Sequence, residues 1–286
     1  MRAHNRAMHL NPQQIGSSLP QRAIDSHKGL HGNVAVIGGD TGMVGAAWLA
    51  ARAALLAGAG RTYVGFLCEG APSVDLLYPE IMVRSLDGLR QIPVLGSVIL
   101  GPGMGSSGVA LDTLRFWLTQ PVPLLLDADA LNLIATHETL SSALRQRTAA
   151  TVITPHPGEA ARLWGQPLEH HQRKACALAL AQQHNVICVL KGSNSLVAHP
   201  DGRCGTNPTG NAGLASAGTG DVLSGIIGSL IAQGMSAFDA ACAGVYVHGA
   251  AADALVARGI GPIGLTASEV AIEARHTLNS LSRLER

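Results

Sequence analysis

A chain of 286 residues with a formal net charge of +1 and no basic run has neither the electrostatic footprint of a nucleic-acid binder nor a polybasic membrane anchor. Its 47% hydrophobic content, 34 glycines and only 3% aromatic residues call for an aliphatic, alanine-rich core with many tight turns, enough for one large α/β domain or two small ones. The five cysteines, at 68, 176, 188, 204 and 242, form no C-x-x-C pair, which argues against a disulfide framework or a cysteine zinc site and suits a reducing cytoplasm.

Residues 1–26 are polar, lack the apolar centre of a secretory signal, and read as a leader or linker ahead of a single domain over 27–286. The alanine-rich stretch 46–60 is broken by Arg52 and glycines, so no membrane span stands out. In chain order, 33–37 is a short apolar strand flanked by glycines, 44–57 an Ala/Leu helix, 61–67 a strand and 79–83 a weaker strand. A strand at 97–100 runs into Gly101-Pro102-Gly103-Met104-Gly105 and a helix ending near Thr119. Strands at 121–126 and 150–153 end in Asp127-Ala128-Asp129 and in Thr154-Pro155-His156-Pro157-Gly158-Glu159. Helices are expected around 159–164 and 169–184, then a strand at 185–190 ending in Lys191-Gly192-Ser193 and a hairpin strand at 195–198. The remainder reads as helices near 220–233, 237–258 and 266–281. Such alternation implies a mostly parallel sheet covered on both faces, with ligands bound beyond the carboxyl ends of its strands, where these special sequences fall.

The stretch from Gly210 to Asp221 consists of small residues and ends in a single carboxylate before a buried helix. It is expected to bring Ala217, Gly218, Thr219 and Gly220 to a helix N-terminus, whose free N–H groups suit phosphate. Asp221 would remain ionised there and could take a proton from a hydroxyl attacking phosphorus; the plain alternative is that it only caps the helix. Asp127 could hold Mg²⁺ through water or receive a substrate hydroxyl, and Asp129 reads as a helix cap. His156, between two prolines, could hydrogen-bond a ligand, but no second His or Cys lies at ligand spacing, so no protein metal site is expected. Lys191 could neutralise phosphate oxygens, or simply snorkel from a strand end. A P-loop is absent, and 101–105 lacks the full dinucleotide spacing.

Together, His27-Lys28-Gly29, Gly38-Gly39-Asp40, Gly45-Ala46-Ala47, Gly101-Pro102-Gly103, the run from Leu126 through Asn132, Thr154 to Glu159, Lys191-Gly192 and Gly210 to Asp221 strongly resemble the ADP/ATP-dependent NAD(P)H-hydrate dehydratases of the ribokinase-like superfamily, in that family's order over about 26–280. The resemblance implies a three-layer α/β/α fold with a mostly parallel central sheet. It also implies a repair reaction: the ring hydroxyl of the S form of hydrated NADH or NADPH (NADHX, NADPHX) is phosphorylated by ADP (or ATP) with Mg²⁺, and phosphate is then expelled. In that assignment Asp221 is the base. Ala46, Ala47, Gly103, Asp127, His156, Asn211 and Asp221 meet the hydrate. Lys191, Gly192, Ser193, Asn194, Ser195, Ala217, Gly218, Thr219 and Gly220 meet the nucleotide. Small departures are Ala217, Leu214 and Ser195, where relatives often carry Gly, Met and Thr. Residues 1–26 are too short for the epimerase domain of some relatives, so epimerisation is expected from elsewhere, and a homo-tetramer in the cytoplasm fits the family. Two other readings share the anion loop: a hydroxyethylthiazole-kinase-like enzyme, and a nucleotide-binding regulator without turnover.

Overall fold

The computed structural model describes residues 8–283. The strands are β1 (Met8–His9), β2 (Asn33–Gly38), β3 (Arg61–Phe66), β4 (Met82–Val83), β5 (Ser97–Leu100), β6 (Leu124–Leu126), β7 (Thr151–Ile153), β8 (Ile187–Leu190), β9 (Leu196–Ala198) and β10 (Cys204–Thr206). The helices are α1 (Pro12–Ser18), α2 (Val44–Leu56), α3 (Leu86–Arg90), α4 (Gly108–Thr119), α5 (Asp129–Thr136), α6 (Glu138–Arg145), α7 (Pro157–Trp164), α8 (Arg173–His184), α9 (Thr219–Ala232), α10 (Ala237–Ala257) and α11 (Ala267–Leu281). The strands form one ten-stranded sheet in the order β1-β10-β9-β8-β7-β6-β5-β2-β3-β4. From β8 through β4 every pairing is parallel; β9 is antiparallel to both its neighbours.

Because side chains alternate across a strand, each strand feeds two cores. Val34, Val36, Val64, Ile99, Leu125, Val152 and Val189 pack under α2, α9, α10 and α11. Ala35, Ile37, Val98, Leu100, Leu124, Leu126 and Leu190 face α4 through α8. This is the expected three-layer sandwich. The alanine richness is explained where α2 meets α9: a Cβ on Gly225 would run into the Ala50 carbonyl and come within 2.7 Å of Ala53 Cβ. Gly225→Ala is therefore expected to destabilise the fold by about 1–3 kcal/mol through overpacking, read as a lower urea midpoint. An unchanged midpoint would mean that the two helices are not in such close contact.

Some expectations need correction. Residues 8–19 are not a bare linker: β1 pairs with β10, and α1 buries Leu10, Ile15 and Leu19 in the core, with Asn11 capping and Pro12 opening the helix. The strand at 79–83 shrinks to two residues. A single-turn 3-10 helix, His170–Gln172, precedes α8, and β10 is an additional strand after the turn at 199–202. Finally, α10 is long and apolar enough to cross a membrane, yet 67% of its apolar window is buried inside the protein, as in a core helix.

Candidate active site

The loops leaving the carboxyl ends of β2, β5, β6, β7 and β8 are stitched together. Gly39 N donates to Pro102 O at 2.9 Å and Asp40 N to Gly103 O at 2.6 Å. Gly105 N donates to Asp129 Oδ2 at 2.8 Å, and Lys191 N to Pro155 O at 2.9 Å. Gly101, at φ 122°, is needed because a Cβ there would run into the Asp127 carbonyl. Asp129 is thus not a helix cap; it ties one rim loop to the next.

At the centre is a buried ion pair. Lys191 Nζ lies 2.6 Å from Asp127 Oδ1 and 3.9 Å from Glu159 Oε2, with its side chain only 19% exposed. Asp127 is 2% exposed and both its oxygens are engaged by the protein: Oδ1 also accepts from Ala128 N at 2.9 Å, and Oδ2 accepts from Ser224 Oγ at 2.7 Å. Its carboxylate thus points into the protein's own network rather than to open solvent. The carboxylates hold the Lys191 ammonium above its usual range despite burial. Burial pushes Glu159 up, countered chiefly by Lys191.

α9 begins at Thr219, with Gly218 as its cap residue at φ 84° and no side-chain cap. A Cβ on Gly218 would strike Leu49 Cδ1. The N–H groups of Ala217, Gly218, Gly220 and Asp221 have no protein acceptor among the described residues. Asp221, the third helical residue, makes no capping bond, which removes the plain alternative. Its proton affinity is not what the helix N-terminus alone predicts: burial and then Asp127 push its carboxyl up to about 7, with Lys191 opposing and Asp129 adding a little. A carboxyl so placed is not permanently ionised at neutral pH.

Beside this centre is a cavity of about 640 Å³. Lys191, Gly192, Ser193, Asn194, Ser195, Thr219 and Gly220 line it, whereas Ala217 and Gly218 do not and offer only their amides. Asn211 also lines the cavity, not a separate substrate cleft, and spends both ends on structure: Oδ1 accepts from Gly213 N and Nδ2 donates to Asp253 Oδ1, each at 2.9 Å. Ala46 and Gly103 are neighbours, with 3.2 Å between Ala46 Cβ and a Cβ built on Gly103. Ala47, by contrast, is fully buried beneath Gly39, so it offers no direct contact. His156 caps α7: its Nδ1 accepts from Gly158 N at 2.9 Å and Glu159 N at 3.3 Å, and its Nε2, on a side chain 51% exposed, lies 3.4 Å from Glu159 Oε1.

Several contributors had no sequence signal strong enough to single them out. Arg173 braces the 190–193 strap through Ser193 O at 2.5 Å and Lys191 O at 3.2 Å. Asn207 ties the cavity wall to Val245 O at 2.9 Å, and Asp253 accepts from Gly210 N at 2.8 Å. His248 Nε2 donates to Thr219 O at 2.9 Å, and burial holds this imidazole neutral, pushed down to about 4.

The family model described as NAD(P)H-hydrate dehydratase matches residues 34–272. The chain belongs to the NAD(P)H-hydrate dehydratase family. It is 43% identical over 267 residues to the ADP-dependent (S)-NAD(P)H-hydrate dehydratase of Neisseria meningitidis, covering 92% of this chain and 90% of that one. It is likewise 43% identical to the bifunctional NAD(P)H-hydrate repair enzyme Nnr of Escherichia coli, over 90% of this chain but 50% of the relative, so it spans about half the length of that enzyme. The crystal structure of the ADP/ATP-dependent NAD(P)H-hydrate dehydratase of Bacillus subtilis, co-crystallised with ATP/Mg²⁺, superposes with a TM-score of 0.83 at 29% identity, covering 96% of this chain and 99% of that one. In this NAD(P)H-hydrate dehydratase, the unpaired amides, Lys191 and the cavity beside them fit a nucleotide. Among the described residues there is no cluster of three or more His, Cys, Asp or Glu placed to hold a metal ion.

Proposed function

We propose that the protein restores NADH and NADPH from the S form of their hydrates, using ADP as phosphoryl donor, with ATP as the alternative, and Mg²⁺. The observation that carries this reading is the row of unpaired amides at the start of α9, just before Asp221, whose member Gly220 lines the cavity together with Lys191. The nucleotide supplies the phosphoryl group that turns a poor leaving group, hydroxide, into a good one, phosphate. Asp221 takes the proton of the ring hydroxyl as its oxygen bonds to phosphorus and the bond to AMP breaks. The amides of Ala217, Gly218 and Gly220 hold the charge of the transferred group, and Lys191 faces it from the cavity side. The ring nitrogen then drives out phosphate, and loss of a proton from the adjacent ring carbon restores the double bond. His156 through Nε2 and Ala46 with Gly103 orient the hydrate.

Such an enzyme would work beside an epimerase that interconverts the R and S hydrates, in the cytoplasm, and as a homo-tetramer. Incubating the protein with NADHX, Mg²⁺ and either ADP or ATP should return absorbance in the NADH band. No return with either nucleotide rejects the dehydratase. Transfer of phosphate to a different alcohol would point to a hydroxyethylthiazole-kinase-like enzyme, and tight nucleotide binding without any turnover to a regulator.

A further inference from the structure

Asp127, the ion-pair partner of Lys191, is itself almost inaccessible. Asp127 is 2% exposed, and three protein donors reach its two oxygens: Lys191 Nζ, Ala128 N and Ser224 Oγ. Ser224 is fully buried on α9, three residues after Asp221 and so on the same side of the helix. The Lys191 ammonium it helps to fix sits 3.5 Å from where a Cβ on Gly220 would be, immediately before Asp221.

We propose that Asp127 is a positioning residue rather than a ligand of the substrate: locked by Ser224, it anchors Lys191 between the nucleotide cavity and Asp221 and ties the base to the phosphate site through one buried ion pair. The charges facing Asp221 from the surrounding elements are Asp127 and Asp129 after β6, and Lys191 after β8. Asp129 is committed to Gly105 N, Glu159 and His156 on α7 pair with each other near Lys191, and His248 on α10 is neutral. The ion pair is therefore the adjustable part of the environment. With Asp127 uncharged, Lys191 turns its full charge to Asp221, and the base weakens.

The catalytic side of this inference rests on the dehydratase reading; its electrostatic side does not. The test is a ¹³C carboxyl titration of Asp221 in the nucleotide-free protein. Asp127→Asn, which keeps the size and one acceptor oxygen but loses the charge, should lower the midpoint by at least about one pH unit, and the acid limb of kcat/KM should move with it. A midpoint within about 0.2 units of the parent overturns the proposal, since a like charge at this range shifts a carboxyl far more. Should Asp127→Asn not fold, Ser224→Ala decides. It should move the midpoint by about half a unit as the ion pair loosens and raise the nucleotide KM several-fold, with both restored to parent values in Ser224→Thr; an unmoved midpoint again overturns it. A shifted midpoint in a protein that never turns over NADHX would sink the dehydratase reading alone.

Discussion

Asp221→Asn is expected to cost turnover a factor of about 10² or more, roughly 2.7 kcal/mol of barrier, while leaving the fold and nucleotide binding intact. An amide cannot accept the proton, yet it fits the same space at the start of α9. The parent enzyme should gain activity as pH rises through about 7, where burial and Asp127 place this carboxyl, and the variant should lose that limb. Stability should move the other way. A carboxyl raised from 3.8 to about 7 keeps its proton in the fold while the unfolded chain gives it up, so ionising Asp221 erodes stability progressively between these values. Above pH 7 the nucleotide-free variant should therefore melt higher than the parent. Near-normal turnover in Asp221→Asn would remove the residue from the role of base, and a lower melting temperature would contradict its unfavourable burial.

Lys191→Met carries the second large effect, for two separable reasons. In the resting protein it strips the counter-ion from Asp127 and from nearby Glu159, both nearly inaccessible. Leaving a buried charge unpaired costs about 3–5 kcal/mol, which denaturant unfolding would register. In the working protein it removes the ammonium at the cavity edge, and nucleotide affinity should fall by about tenfold or more. It also withdraws the one charge that lowers the Asp221 midpoint, so the acid limb of any remaining activity should rise above 7. An unchanged apparent nucleotide affinity would put Lys191 outside the phosphate site, whatever the loss of stability.

The fold was largely legible because its strands are apolar runs closed by glycines, and its helices follow with the right spacing. What escaped notice was short or weakly apolar. Three side chains, Leu10, Ile15 and Leu19, dock residues 8–19, and the Asn11-Pro12 helix start was the available signal. β10 is Cys204-Gly205-Thr206, which no alternation test would select. The glycine loops of the site were readable for the same reason that they work, as backbone that must approach something closely. The division of labour among the carboxylates was not. Asp127 is defined by partners 64 and 97 residues away, and Asp129 by a loop amide 24 residues back. Nothing in the local sequence separates a buried counter-ion from a substrate contact, or reveals that Ala47 lies under Gly39 while Ala46 borders Gly103.

The sheet ends differently on its two sides. On one, β10 gives one edge to β9 and the other to Met8 and His9, so its main chain is not offered to a passing molecule. On the other, β4 is two residues long, too brief to template a foreign strand. A molecule with so much aliphatic interior is thereby guarded against amyloid-like stacking at both of its borders, and Met8 and His9 act as a sealing strip as much as part of the scaffold.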